Sequence, residues 1–148
     1  YAAHEKTYCY HILNGCIDDP FTLDICHRVA QPLDLDAMQA AAAQFVGTHD
    51  FLALCASGSS VAAHGDTVRT ISRCTVSRCG DRFVITVTAD GYLYNMVRIL
   101  AGTVVEAGLH KRTAESIPAL LQSRDRRKAG PTLPAKGLFL EDVAYPEL

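Results

Sequence analysis

Residues 93–107 form a mostly apolar stretch that carries one positive charge, and this stretch limits what the rest of the chain can fold into. Leu93, Met96, Val97, Leu100, Val104 and Ala107 recur at three- and four-residue intervals, the spacing of one helix face. Ile99, Ala101 and Val105 carry apolar surface round to the other side. The pattern predicts a helix over 92–107, buried in the middle of a core. Gly91 punctuates its start, and Gly108 stands where a helix stop belongs. Arg98 falls at its centre. A guanidinium keeps its charge at any ordinary pH, so a buried one needs acceptors or an anion. Leaving it unpaired would cost about 3–5 kcal/mol. Two readings are open: Arg98 reaches the surface or closes a structural ion pair, or it holds a catalytic carboxylate or a phosphate in a cleft.

A core able to take such a helix needs enough chain around it. The 148 residues suffice for one domain over 1–148 and do not require two. With 49% hydrophobic and 20% charged residues, the composition is that of a globular chain rather than a disordered one. No run of eighteen apolar residues is free of charge, so no membrane span is expected. The opening Tyr-Ala-Ala-His-Glu-Lys resembles neither a signal nor a transit peptide. Six cysteines lie at 9, 16, 26, 55, 74 and 79, without Cys-x-x-Cys pairs or zinc spacing. They read as reduced thiols in the core or on the surface, and a cytoplasmic location is expected. The net charge of −2 hides an asymmetry. Residues 1–66 hold two Lys/Arg against eight Asp/Glu, and residues 67–148 hold twelve against eight. A basic second half suggests an anionic partner.

Along the chain, residues 8–13 read as a strand, with Tyr8, Tyr10 and Ile12 on one face. Asn14-Gly15 ends it, and Asp18-Asp19-Pro20 has turn chemistry. Residues 21–31 read as an irregular connection or a short extended piece. After Pro32 a helix is expected, capped by Asp34 or Asp36, burying Met38, Ala41, Ala42 and Phe45, and stopped by Gly47. Thr48-His49-Asp50-Phe51 reads as a loop or helical turn, and 56–66 as a mobile loop. Strands at 70–78 and 82–89 flank the turn Cys79-Gly80-Asp81 as a hairpin. The second strand points Phe83, Ile85, Val87 and Ala89 one way and Val84, Thr86 and Thr88 the other. A shorter helix within 113–123 buries Leu120 and Leu121, and a last strand covers 138–145. This order predicts an α+β domain, with helices mainly on one face of an antiparallel or mixed sheet.

Few residues stand out for chemistry. Tyr8 and Tyr10 are either plain packing or a stacking platform for an unpaired base. The run Arg124, Arg126, Arg127 and Lys128, with Lys111, Arg112 and Lys136 nearby in the sequence, is either a solvated helix end or a phosphate-binding surface. His49-Asp50 could orient each other, although adjacent residues rarely do. No phosphate-cradling glycine loop or Ser-His-Asp order is present.

Several segments taken together resemble a known family. Asp90-Gly91-Tyr92-Leu93-Tyr94-Asn95-Met96-Val97-Arg98-Ile99 with Gly102 is similar to the Met-Val-Arg-x-x-x-Gly helix of bacterial tRNA pseudouridine synthase A. Lys6-Thr7-Tyr8-Cys9-Tyr10 resembles that family's Lys/Arg-x-Tyr-x-Tyr strand, and Gly47-Thr48-His49-Asp50-Phe51 its Gly-x-His/Asn-Asp-Phe segment. Arg69-Thr70-Ile71 resembles a strand lead-in, and Asp125-Arg126 with Gly137-Leu138-Phe139-Leu140 the closing pattern. The five motifs follow in order over essentially the whole chain. The resemblance implies a pseudouridine-synthase-like α+β half that isomerises uridine to pseudouridine in the anticodon stem-loop of tRNA, without metal or organic cofactor, usually as a homodimer. It further implies that Arg98 pairs with a catalytic aspartate, that Tyr8 stacks on the target base with a part in proton transfer, and that Leu138 packs in the same pocket. The family's Arg-Thr-Asp-x-Gly-Val motif, which supplies that aspartate, has no match here; Asp66-Thr67-Val68 lacks the preceding Arg-Thr and the glycine. The expectation is a C-terminal half, inactive alone, whose partner is the N-terminal half of the same enzyme. The rivals are a stand-alone RNA-binding or dimerisation module and a degenerate structural subunit.

Overall fold

A computed structural model of the chain describes residues 4–15, 20–56 and 65–144. Most of the turn expected at Asp18-Asp19-Pro20 and of the loop expected over 56–66 lies outside the described residues. The first strand, β1 (Glu5–Asn14), is longer than its aromatic segment predicts and is the hub of the sheet. On one side it pairs antiparallel with β5 (Arg82–Ala89). Its other side is shared. Residues Glu5 to Tyr10 pair antiparallel with β6 (Leu138–Ala144), and Ile12 to Asn14 pair parallel with the short β2 (His27–Val29). Beyond β5 lie β4 (Val68–Cys79) and β3 (Gly47–Asp50), so the open sheet of six strands is mixed through β2 alone. This is the expected α+β architecture.

Period-two alternation divides the sheet into two faces. Phe83, Ile85, Val87 and Ala89 of β5 are buried, as expected, with Tyr10 and Ile12 of β1 and Ile71 and Val76 of β4. Three helices pack against this side: α1 (Leu35–Ala43), α2 (Met96–Gly108) and α3 (Ile117–Ser123). Asp34 caps α1 by accepting from the Ala37 amide at 3.1 Å, and Met38, Ala41, Ala42 and Phe45 are fully buried. The opposite face carries small polar pairs, Thr7 with Thr88 at 2.8 Å and Cys9 with Thr86 at 3.5 Å.

Three expectations need correction. Helix α2 begins at Met96, not at Tyr92, because Asn95 stands left-handed at φ 61° and breaks the helical path. Gly108 ends α2, as its place in the sequence predicts, and the left-handed residue beyond it is His110 at φ 60°. What requires Gly108 is contact: a Cβ there would lie 2.6 Å from Met38 Cγ. Helix α1 ends at Ala43, before Gly47, which instead opens β3 at φ 118°. Residues 48–50 are therefore strand, paired with β4, because edge pairing overrides a weak local propensity.

Two histidines sit partly buried on the sheet. Burial, then the Arg82 charge, lowers the His11 pKa from its ordinary 6.5, and Glu141 opposes this. Burial, then Lys136, lowers that of His27. A histidine with a lowered folded pKa favours the folded state above the unfolded value. That contribution is lost as pH falls below 6.5 toward the folded value. Thermal unfolding at pH 7.5 and pH 5.5 should therefore show a lower midpoint in acid. The double variant H11N/H27N should show a smaller gap, and an unchanged gap would rule these histidines out as its source.

Candidate active site

Helix α2 packs on β1, and the chain leading into it forms one wall of a cleft. Tyr8, Tyr92, Leu93, Tyr94, Asn95, Met96, Val97, Arg98 and Leu138 line this space of about 280 Å³. Tyr8, Arg98 and Leu138, which the sequence motifs single out from three distant segments, thus meet at one place. Strand pairing explains two of them. Tyr8 stands opposite Leu140 and Tyr10 opposite Leu138, so Leu138 is the diagonal neighbour of Tyr8 on the same face. The β1/β6 register shifts between Thr7 and Tyr8, and a bulge of this kind re-aims the adjacent side chain.

Tyr8 and Tyr10 differ although they share a face. Tyr10 is fully buried, and its hydroxyl donates to the Pro134 carbonyl at 2.6 Å. Desolvation raises its pKa beyond any physiological titration. It is a packing residue. Tyr8, paired with β5 on one side and β6 on the other, is half-buried, its ring edge-on to Tyr92 at 5.0 Å between centroids. Tyr92 is in turn fixed through its hydroxyl, 2.6 Å from the Lys6 carbonyl and 3.0 Å from that of Val87. Among the described residues nothing hydrogen-bonds the Tyr8 hydroxyl.

Arg98 answers the buried-charge question in an unexpected way. Its guanidinium is half-buried and forms no ion pair with any carboxylate among the described residues. Instead Nε donates to the Leu133 carbonyl at 2.7 Å and Nη1 to Asn95 Oδ1 at 3.1 Å. Both acceptors are neutral, so the positive charge stays uncompensated and faces the cleft. The segment that supplies Leu133 lies along α2. Leu133 N donates to the Arg98 carbonyl at 3.2 Å, and Gly130 N to Thr103 Oγ1 at 2.9 Å.

The basic run lies apart from the cleft. Arg124 pairs with Asp50 at 2.9 Å, Arg126 donates to Thr132 Oγ1 at 3.1 Å, and Arg127 pairs with Asp125 at 3.0 Å. Arg127 and Lys128 are exposed. The short 3-10 turn Arg126–Lys128 packs on a second one, Leu52–Leu54. Just past that turn, Ala56 N reaches the Tyr94 carbonyl on the cleft rim at 3.2 Å. The His49-Asp50 pair is not a dyad: His49 Nε2 contacts the Val46 carbonyl, while Asp50 accepts from Thr67 and Leu52. Among the described residues no group of three His, Cys, Asp or Glu could hold a metal ion, and no helix is long and apolar enough to cross a membrane.

Sequence reasoning missed Asn95, Tyr94 and Leu133 as parts of the site. A polar residue beside an otherwise apolar helix start was the available signal for Asn95. Leu133 contributes a backbone carbonyl, which no side-chain pattern announces.

The open sheet with helices on one face, and a cleft where the central strand meets the buried helix, describe a pseudouridine-synthase-like domain. The tRNA pseudouridine synthase family matches residues 41–146. Proteins named tRNA pseudouridine synthase A are similar along nearly the whole chain. That of Moorella thermoacetica is 46% identical over 98% of this chain and 58% of its own length. That of Halalkalibacterium halodurans is 43% identical over 94% of this chain and 52% of its own. A tRNA pseudouridine synthase A 2 of Clostridium tetani is 43% identical over 95% and 55%. The chain belongs to the tRNA pseudouridine synthase family, and it spans little more than half the length of these relatives.

Proposed function

We propose that this chain is the C-terminal, base-binding half of a cytoplasmic tRNA pseudouridine synthase, folded as one domain. In the intact protein it isomerises a uridine of the tRNA anticodon stem-loop. The observation that carries this reading is the convergence of Tyr8, Arg98 and Leu138 on one cleft. The reaction breaks the bond from C1′ of the ribose to N1 of uracil and forms one from C1′ to C5; C5 loses its proton and N1 ends protonated. A base must leave its stack to be reached, which costs a few kcal/mol. Stacking on Tyr8, packing on Leu138, and phosphate contacts from Arg124, Arg126, Arg127 and Lys128 would offset that cost. Arg98 is proposed to hold the catalytic carboxylate, which comes from the N-terminal half of the enzyme. A homodimer is proposed for the intact enzyme.

The deciding experiment is tritium release from tRNA labelled at uridine C5, with the full-length protein and this chain in parallel. Release by the full-length protein alone is expected. Release by this chain would place the carboxylate among its own residues, and silence in both would favour a non-catalytic RNA-binding module. In the full-length protein, Tyr8→Ala should weaken binding of an anticodon stem-loop by about 1–3 kcal/mol, the value of one base–aromatic stack. Tyr8→Phe should bind like the parent in the same filter-binding titration. Equal affinity of the alanine variant would remove Tyr8 from the base platform.

A further inference from the structure

The guanidinium of Arg98 is fixed before any anion reaches it. Nε is held by the Leu133 carbonyl at 2.7 Å and Nη1 by Asn95 Oδ1 at 3.1 Å. The five N–H donors of arginine lie in one plane. Two bonds to two nitrogens therefore set the plane's direction and leave the Nη2 end for the cleft. Asn95 is in turn fixed by the backbone. It is left-handed at φ 61°, a conformation asparagine tolerates better than most residues, and its own carbonyl accepts from Ile99 N at 3.0 Å. Because Asn95 precedes Arg98 by three residues, its amide oxygen lies on the same side of the helix start.

We infer that Asn95 is a positioning residue for Arg98: its neutral amide oxygen orients the guanidinium toward the cleft without consuming its charge. This rests on the proposed role of Arg98 in holding a catalytic carboxylate. Neutrality is the central point. A carboxylate at position 95 would pair with Arg98 internally and compete with the incoming one. A residue with no acceptor would leave Nη1 free to turn.

The test uses the full-length enzyme, tritium release and RNA binding. Asn95→Gly deletes the acceptor and keeps the left-handed backbone accessible. Its kcat should fall about ten- to a hundredfold, the scale of a small misplacement of a catalytic group. KM and the RNA affinity should stay within about twofold, since Asn95 is not asked to bind RNA; a structural role alone would not split kcat from KM in this way. Asn95→Asp keeps size and backbone preference but adds charge, and should lose more kcat than Asn95→Gly. Parent-like kcat in Asn95→Gly, or Asn95→Asp more active than Asn95→Gly, would overturn the inference. An inactive parent enzyme would instead overturn the proposed function.

Discussion

Arg98→Ala in the full-length protein is expected to lower the rate of tritium release by about 10²–10³-fold. Removing one partner of a desolvated charge pair costs about 2–5 kcal/mol, and each 1.36 kcal/mol is a factor of ten in rate. The loss should appear in kcat. Arg98 lines the cleft and is half-buried, whereas Arg124, Arg127 and Lys128 of the basic run are exposed. Affinity for the stem-loop should therefore change far less than rate. Arg98→Lys sharpens the reading. An ammonium keeps the charge but lacks the planar fork, and cannot hold the Leu133 carbonyl and Asn95 Oδ1 while presenting a flat edge to a carboxylate. Lysine should therefore leave RNA binding near the parent value and recover little of the rate. Both variants forfeit the Nε bond to Leu133, worth about 1.5–3 kcal/mol as a bond to a charged group. Their melting points should fall together, and both rates should stay far below that of the parent. If Arg98→Ala retained a rate within about threefold of the parent, Arg98 would be structural only.

The fold was legible where local pattern and tertiary demand agree. The alternation of β5 and the buried stripe of α1 were both correct, because one apolar face decides each. The start of α2 was not legible. Periodicity runs unbroken through Leu93, yet the chain at Asn95 turns left-handed, and apolar spacing carries no information on φ. Strand β3 was missed because Gly47-Thr48-His49-Asp50 has no apolar alternation and is strand only through its pairing with β4. For the candidate site, the motifs named Tyr8, Arg98 and Leu138, three residues that line one cleft. They could not show that Arg98 rests on a carbonyl and an amide rather than on a carboxylate. That depends on residues 130–134 folding back along α2, a contact between backbones.

Gly102→Ala is expected to be the most damaging single-methyl substitution in α2. On an isolated helix the change would stabilise by about 1 kcal/mol, since glycine is a poor helix former. Here the added Cβ would lie 1.9 Å from the Pro131 carbonyl oxygen and 3.0 Å from its carbon. Both are backbone atoms of a segment with a proline at 131 and 134, and no side-chain rotation relieves the clash. The segment cannot simply lift away. Gly130 N is bound to Thr103, Leu133 N to the Arg98 carbonyl, and the Pro134 carbonyl to Tyr10. Gly130 itself abuts Gly102, so two glycines meet where helix and segment cross. Overpacking costs about 1–3 kcal/mol, occasionally more, and lost buried hydrogen bonds add to it. A fall in melting temperature of about 5–15 °C follows for a domain of this size. Gly108→Ala is the control on the same helix. Its Cβ would meet Met38 Cγ at 2.6 Å, the middle of a flexible side chain that can turn aside, so its cost should be smaller. If Gly102→Ala melted at or above the parent temperature, the close crossing would not exist in solution. Arg98 would then lose the backbone acceptor that fixes its Nε in the cleft.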